Sequence, residues 1–373
     1  MLQAIVYAPK LYAHVKNCSF QKMRVLLIFV FLFTANISTS QITTLSGRRI
    51  SKSEMDNFLH KQMDSLNVKG ISIAVINDGK IVYHNAFGTK NIYTLEPIDE
   101  HTIFEAASVG KSLFAFFVMR LVDKHVLALD TPLYKYLPYI DIAYDDRYKL
   151  ITARMVLDHT TGFPNWREND TLKILFTPGT KWFYSGEGYE YLAKVVEELT
   201  HTTAKNLDSL FQQEVAIPLQ MKHSHYGITT YIARNLAWGH EGDVPVYDPS
   251  DKLIFHPAGG LYTESLDYAH FLIGLMNNQI LTKTTEDEML RQQVELAADD
   301  TRRTKDGITG WSLGFSVKPT LYGMHYQHGG NNWGFTAGFL VNRDKKFGYV
   351  FFTNANQANA LKDNIQAFLV DGK

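Results

Sequence analysis

The chain has 373 residues, of which 45% are hydrophobic and 20% are charged, and its formal net charge is −1 at pH 7. Such a composition is typical of a globular protein with one large or two moderate domains, and it excludes an intrinsically disordered chain. Because no basic patch stands out, the sequence also argues against nucleic acid as a partner.

The first 40 residues have the pattern of an export signal. Lys22-Met23-Arg24 precedes the apolar run from Val25 to Phe33, and a small polar stretch follows, as in a cleavable leader. This run is much shorter than the roughly 20 residues that a membrane span needs. We expect a leader over residues 1–40 with cleavage near Ser40, Met23 as an alternative start, and a periplasmic or secreted bacterial protein without a stable membrane span. The other interpretation is an uncleaved membrane anchor.

The single cysteine of the chain, Cys18, lies in or before this leader. The mature protein would therefore have no disulfide, no thiolate metal site and no cysteine nucleophile.

The segment after the leader predicts a helix followed by a β-hairpin. Ser51 to Leu66 has the pattern of an amphipathic helix that starts at a serine cap. The next run, Ile71 to Gly88, holds two β-rich stretches around Asn77-Asp78-Gly79, which is a strong turn signal. We therefore expect strands near the start of the mature chain.

The first candidate site lies in the stretch FEAASVGKSLFAFF, from Phe104 to Phe117. Ser108 and Lys111 are spaced i, i+3, which places them on one face of a helix with Cβ atoms about 5–6 Å apart. We expect Ser108 in the first turn, where unpaired backbone N–H groups favour a developing negative charge. The apolar residues that follow predict a buried helix. Taken alone, the pair is either a nucleophile with its activating amine or a polar helix start.

The second candidate site lies in the middle of the chain, where residues 112–305 are predicted to be mostly helix and loop. Tyr184, Ser185 and Gly186 follow an aromatic stretch, and a helix is predicted to begin near Gly188. Tyr184 and Ser185 would then lie on a loop from which side chains can point into a cleft. Alternatively, Tyr184 only packs against the start of the helix.

The C-terminal part returns to short strands and ends in a helix near Asn359–Leu369. The strands are predicted at Trp311–Pro319, Met324–Gly330, Thr336–Asp344 and Phe347–Ala355. The third candidate site, His328-Gly329-Gly330 followed by Asn331, lies at the end of one of them. Glycines in a strand signal the close approach of a ligand or of another backbone.

Strands at both ends of the chain and helices between them predict an α+β fold. One antiparallel sheet would be built from residues 45–111 and 306–373 and flanked by helices, as an α/β sandwich. Residues 112–305 would form a mostly helical inserted domain.

Other interpretations of these motifs are weaker. A nucleotide-binding loop would need glycine at position 105, which is glutamate, and an α/β-hydrolase elbow would need glycine at position 106, which is alanine. His223 and His225 lack a His-Glu-x-x-His helix, so we interpret them as surface histidines. Asp158-His159 could suggest a catalytic triad, but we expect these residues to hold a loop.

Together, the order and setting of the three motifs resemble the serine β-lactamase and penicillin-binding protein superfamily. The likeness is greatest to its class C branch, which includes DD-peptidases, D-aminopeptidases and family VIII carboxylesterases. Further matching segments are Leu157–Trp166, Phe176–Thr180 and His256–Leu272, and the resemblance covers about residues 50–370. It implies a β-lactamase/transpeptidase-like fold and an exported serine hydrolase that uses no cofactor and no metal.

The resemblance also implies a role for each motif. Ser108 would attack an acyl carbonyl and form an acyl-enzyme, with Lys111 and Tyr184 as activating groups. The backbone N–H groups of Ser108 and Asn331 would form the oxyanion hole. Both candidate bases have ordinary pKa values near 10, and burial favours neutral lysine whereas a nearby ammonium favours tyrosinate. We predict Tyr184 as the base with Lys111 supporting it.

The substrate-binding residues that the resemblance implies are Ser185, Gly186, His328, Gly329 and Gly330. Gly186 stands where many relatives have asparagine, and His328 stands where many have a lysine that meets a substrate carboxylate. Since histidine is only partly charged near neutrality, we expect small esters or D-amino-acid-containing peptides and amides as substrates. The alternatives are a true class C β-lactamase or DD-carboxypeptidase, which act on a β-lactam or peptide, and a non-catalytic protein that binds cell-wall fragments.

Overall fold

The computed structural model describes residues 41–373 apart from residues 170, 247–253 and 357. The predicted leader and Cys18 lie outside the described residues, so the leader and export stay predictions. Within the described ranges, no helix combines the length and the apolar character that crossing a membrane requires.

The described residues form the following strands and α-helices, numbered in chain order. The strands are β1 (Ile42–Thr43), β2 (Arg49–Ile50), β3 (Gly70–Asn77), β4 (Lys80–Asn91), β5 (Glu96–Pro97), β6 (Phe104–Glu105), β7 (Gly239–Glu241), β8 (Val244–Val246), β9 (Tyr262–Thr263), β10 (Val294–Glu295), β11 (Gly310–Trp311), β12 (Ser316–Thr320), β13 (Gly323–Asn332), β14 (Phe335–Asn342) and β15 (Phe347–Thr353). The α-helices are α1 (Lys52–Leu66), α2 (Gly110–Asp123), α3 (Ala153–Leu157), α4 (Gly186–Thr200), α5 (Leu207–Phe211), α6 (Thr230–Asn235), α7 (Ser265–Met276), α8 (Lys283–Leu290), α9 (Thr301–Asp306) and α10 (Asn359–Gln366).

The main sheet has nine strands in the order β10-β11-β12-β13-β14-β15-β3-β4-β5. Every neighbouring pair is antiparallel. Strand β3 of the β3–β4 hairpin, from the N-terminal part of the described chain, therefore pairs with the last strand, β15, as expected from strands at both ends. The predicted α+β fold with an antiparallel sheet is confirmed.

Helices cover both faces of this sheet. On one face, Ile73 and Phe351 pack with residues of α1 and α10 in one apolar core. On the other face, Val350 and Phe352 belong to a larger core that includes α2, α7 and the apolar residues of the helical middle. Because α2 lies inside this larger core, the residues at its start are held by packing on all sides.

Several boundaries differ from the sequence-based expectation. The predicted strand Trp311–Pro319 is two strands, because a turn with Gly314 at φ 92° separates β11 from β12. Strand β10 joins the edge of the sheet although it lies within residues 112–305, which were expected to be helical. The closing α-helix ends at Gln366 and continues as a π-helical turn over Ala367–Asp371. The division into two domains stays a prediction.

Candidate active site

Ser108 lies between strand β6 and helix α2, in a 3₁₀ turn over Ala107–Val109. We expected it in the first turn of the α-helix itself. The difference arises at Ala107, whose φ of 50° is incompatible with a regular helical start, so that α2 begins only at Gly110. The turn still directs Ser108 toward the start of α2 and Lys111.

Lys111 is buried and directly contacts the candidate nucleophile. Its Nζ lies 3.2 Å from the Oγ of Ser108, and the same Nζ also donates to the carbonyl of Ala258. Only 1% of Lys111 is exposed to solvent. The side chain is thus fixed by the backbone of the segment that precedes β9, a partner that the sequence motifs did not identify.

Tyr184 is brought to the same place from the helical middle. The Lys111 Nζ lies 4.9 Å from the centre of the Tyr184 ring. The Tyr184 hydroxyl is buried, and among the described residues it has no hydrogen-bond partner. The three residues expected to be catalytic therefore meet, but the Ser108 hydroxyl forms its described hydrogen bond with the lysine and none with the tyrosine.

Ser185 and Gly186 do not face the cleft in the expected way. Helix α4 begins at Gly186 instead of near Gly188, and the Ser185 hydroxyl caps it by accepting from the N–H of Gly188 at 3.0 Å. The same hydroxyl donates to the carbonyl of Pro164 at 2.9 Å. A Cβ at Gly186 would lie 2.9 Å from the Asn165 carbonyl oxygen, so this position is buried by close packing. Both residues shape the loop and line neither of the two cavities described below.

The third motif forms the end of β13 that faces Ser108. Pairing of β13 with β12 stops at Gln327, whereas its pairing with β14 continues to Asn332. A Cβ at Gly330 would lie 2.9 Å from the backbone nitrogen of Ser108. The unpaired edge of β13 therefore packs directly against the turn that carries Ser108, next to Asn331.

His328 lies in this strand as a buried, neutral side chain. Its Nδ1 lies 2.6 Å from the carbonyl oxygen of Gly329 and must carry the proton, because a carbonyl only accepts. Burial and then the positive charge of Lys111 lower the pKa of His328 to about 3. The partial charge that we expected near neutrality is therefore absent.

Asn332 and Glu105 form a further contact between strand β13 and strand β6, which precedes the turn with Ser108. The Nδ2 of Asn332 donates to Glu105 Oε2 at 2.9 Å and to the carbonyl of Gly259 at 3.2 Å. The motifs did not single out these residues. The sequence signals that could have identified them are that Asn332 directly follows Asn331 and that Glu105 lies three residues before Ser108.

Two cavities flank the site. The first, of about 680 Å³, is lined by Ser108, Tyr184 and His328 and carries basic side chains such as Lys318 and Lys362. The second, of about 690 Å³, is lined by residues that include Glu105, Gly259, Asn332, Trp166 and Trp333. An acyl group bound at Ser108 thus has space in the first cavity, whereas the second is lined by Glu105 and Asn332 and not by Ser108.

The histidines of the His223-Ser224-His225 segment are not simple surface residues. His223 stacks on Tyr231 at 4.5 Å, and His225 pairs with Asp208 at 2.7 Å. His223 also groups with Glu264 and Asp267 closely enough to suggest a metal site. Those carboxylates already accept backbone N–H groups, Glu264 from two residues of α7 and Asp267 from residues 222 and 223.

Comparison with known proteins agrees with this architecture. The model of the family described as "Beta-lactamase" matches residues 55–371. A β-lactamase of Pseudomonas fluorescens is 25% identical over 275 residues, which are 69% of this chain and 73% of that protein. The esterase EstB of Burkholderia gladioli is 28% identical over 199 residues, which are 45% of this chain and 50% of that protein. The chain spans about half the length of several curated relatives that it matches.

A solved structure shows the same fold. The octameric penicillin-binding protein homologue from Pyrococcus abyssi superposes with a TM-score of 0.73 at 22% identity, covering 87% of this chain and 78% of that one.

Proposed function

The chain belongs to the beta-lactamase family, and from that premise we propose that it is a serine hydrolase of the class C type that forms an acyl-enzyme at Ser108. The observation that carries this proposal is the 3.2 Å contact between Ser108 Oγ and Lys111 Nζ, beneath the unpaired edge of β13. A serine hydroxyl is a weak nucleophile unless a base lies within hydrogen-bond reach. The buried amine supplies such a group.

The proposed reaction begins when Ser108 Oγ attacks the carbonyl carbon of the substrate and gives up its proton. The negative charge that develops on the carbonyl oxygen would be stabilised by the backbone N–H groups of Ser108 and Asn331. Each such donor typically lowers the barrier by roughly 3–4 kcal/mol. The intermediate then expels the leaving group, which takes a proton, and water later hydrolyses the ester at Ser108.

The contacts favour Lys111, acting as the neutral amine, over Tyr184 as the group that receives the proton of Ser108. Lys111 touches the Ser108 hydroxyl, whereas the Tyr184 hydroxyl contacts no described polar atom. Tyr184 lines the first cavity together with Ser108. We therefore place Tyr184 on the leaving-group side, where a phenol can donate a proton, and we revise the expected assignment of Tyr184 as the base.

The proposed substrates are small esters and D-amino-acid-containing peptides or amides. His328 is neutral and its Nδ1 proton is already donated to Gly329, so it cannot supply the positive charge that a substrate carboxylate needs. Gly186 is buried and has no side chain to hold a substrate amide. Both features argue against efficient β-lactam turnover. We also propose export to a periplasmic or extracellular space, which the pattern of residues 1–40 supports.

Intact-mass spectrometry combined with turnover assays tests this proposal. The purified mature protein, Ser108→Ala and Ser65→Ala would each be given a short-chain p-nitrophenyl ester and, separately, a penicillin. Ser65 is an exposed serine on α1 and serves as the matched control. We expect ester turnover and an acyl adduct in the wild type and in Ser65→Ala, and neither in Ser108→Ala.

The other outcomes separate the alternatives. Rapid penicillin turnover would make the protein a true β-lactamase. Turnover that survives in Ser108→Ala would refute the mechanism. No adduct and no turnover with either compound or with D-amino-acid peptides would favour a binding protein on this fold.

A further inference from the structure

His159 lies beside the candidate active site without touching Ser108 in any described hydrogen bond. It follows helix α3, has no exposed surface, and adopts a left-handed backbone with φ 62°. A residue with a Cβ adopts this conformation at a cost that the surrounding structure must compensate. The structure maintains it where the chain turns toward the segment that carries Tyr184.

Two hydrogen bonds tie His159 to the residues on either side of Tyr184. The carbonyl of His159 accepts the N–H of Phe183 at 2.8 Å. Its Nδ1 accepts the N–H of Ser185 at 3.1 Å. The imidazole ring also packs on the Tyr184 ring, with the ring centres 4.4 Å apart and an angle of 34° between the planes. The backbone and the side chain of one residue thus hold both neighbours and the ring of Tyr184.

These contacts fix the protonation of the imidazole. Because Nδ1 accepts from a backbone N–H, the proton of the neutral ring must be on Nε2. An imidazolium would direct a second N–H at the N–H of Ser185 and break that bond. Burial, followed by the nearby charge of Lys111, holds the pKa of His159 well below its usual value.

The imidazole of His159 lies among aromatic side chains, and its Nε2–H has no acceptor among the described residues. The ring meets Trp311 nearly edge-on at 5.3 Å and Trp182 at 6.2 Å. Because no described polar atom accepts this proton, His159 has no path for passing a proton to the substrate.

We propose that His159 is a positioning residue for Tyr184 and takes no part in proton transfer. It sets the position of the phenol by holding the N–H groups of Phe183 and Ser185, and by packing on the ring between them. The catalytic meaning of this role rests on the proposed acyl-transfer function. Because a misplacement of about 1 Å can cost a reaction roughly 100-fold in rate, loss of the Nδ1 acceptor should lower kcat and leave KM nearly unchanged.

Two substitutions at this position separate positioning from simple packing. In His159→Asn, the side-chain Oδ1 takes the place of Nδ1, and asparagine tolerates the left-handed backbone. His159→Leu fills similar space without an acceptor. We expect kcat for a p-nitrophenyl ester to fall about 10–100-fold in His159→Leu and less than about 5-fold in His159→Asn, with KM within about 3-fold in both.

A double-mutant cycle with Tyr184→Phe tests whether His159 acts through Tyr184. Residues that act as one unit are strongly non-additive. We therefore expect His159→Leu to cost less than about 3-fold in kcat when Tyr184 is already phenylalanine. A full additional loss in that background, or an asparagine variant as impaired as the leucine variant, would overturn the proposal.

Hydrogen exchange of the Ser185 amide tests the same inference without any activity. The proposal requires slow exchange of this amide in the wild type and in His159→Asn, and faster exchange in His159→Leu. Fast exchange in the wild type would overturn the positioning role. If the wild type forms no acyl-enzyme while this exchange pattern holds, the proposed function fails and the contact to the Tyr184 segment stands.

Discussion

The two halves of strand β13 differ in whether one or both of their edges pair with another strand. Residues 323–327 pair with β12 on one side and with β14 on the other along most of their length. Residues 328–332 pair only with β14, and their second edge faces the turn that carries Ser108. Residues 323–327 are therefore the closed half of the strand, and residues 328–332, with one edge unpaired, are its open half.

The comparison shows how a sheet can supply a reactive edge. Unpaired strand edges attract other chains, and proteins usually cover them. Here the turn with Ser108 and the side chain of Asn332, bonded to Glu105 and Gly259, cover the open half. The edge is thus protected from pairing with another strand, while Asn331 near its end stays exposed.

The open half gives the largest predicted effect, in Gly330→Ala. The added Cβ would lie 2.8 Å from the Ala106 carbonyl oxygen and 2.9 Å from the Ser108 nitrogen, so the edge and the turn must separate. Since each oxyanion donor is worth about 100- to 1,000-fold in kcat, we expect a loss of that order in ester turnover. The measurement is kcat and KM for a p-nitrophenyl ester.

Gly329→Ala is the matched variant in the same strand. Its Cβ would come no closer than 4.0 Å to any other group, so we expect a loss at least ten times smaller than that of Gly330→Ala. Equal losses in the two variants would show that the glycines are needed for the conformation of the strand, and not for the close packing of Gly330 against the turn that carries Ser108.

The closed half predicts a loss of stability without a loss of catalysis, in Leu340→Ala. Leu340 lies opposite Gln327 in β14 and is fully buried in the core with α1 and α10, away from Ser108. Truncation of a buried leucine typically costs about 2–5 kcal/mol of unfolding free energy. Urea unfolding should show this loss, while kcat below the unfolding transition should match the wild type. A large drop in kcat of the folded variant would contradict the division between the halves.

Local patterns predicted the parts of the molecule that depend on local chemistry. The β3–β4 hairpin forms around Asp78 and Gly79, which both have positive φ, as the turn signal indicated. Helix α1 starts after the Ser51 cap, as expected. The motifs also predicted that Ser108, Lys111 and Tyr184 would meet, although Tyr184 lies more than 70 residues further along the chain than the other two.

The features that could not be predicted depend on contacts between distant segments. The use of Ser185 as a helix cap depends on Pro164, and the neutrality of His328 depends on its burial beside Lys111. Strand β10 is only two residues long and exists because β11 offers it an edge. Such partners are set by the fold, so a pattern within one segment does not contain them.

The smallest predicted effect concerns His325, the buried histidine in the closed half of β13, and the pH dependence of stability. His325, in the closed half, donates from Nε2 to Thr320 Oγ1 at 3.2 Å, because that hydroxyl already donates its proton to Gly323. Burial and then the charge of Lys318 lower the pKa of His325 to about 4.

In the unfolded chain His325 binds a proton near pH 6.5, whereas in the folded protein it does so only near pH 4. Its stabilising contribution is therefore complete above pH 6.5 and is lost as the pH falls toward 4. His325→Gln keeps a donor for Thr320 and cannot titrate. We expect its unfolding free energy to fall about 1–3 kcal/mol less than that of the wild type between pH 7 and 4, with ester turnover at pH 7 unchanged. An equal change of unfolding free energy with pH in both proteins, measured by urea unfolding, would exclude His325 as a source of acid sensitivity. Altered ester turnover at pH 7 would show that the closed half affects the active site.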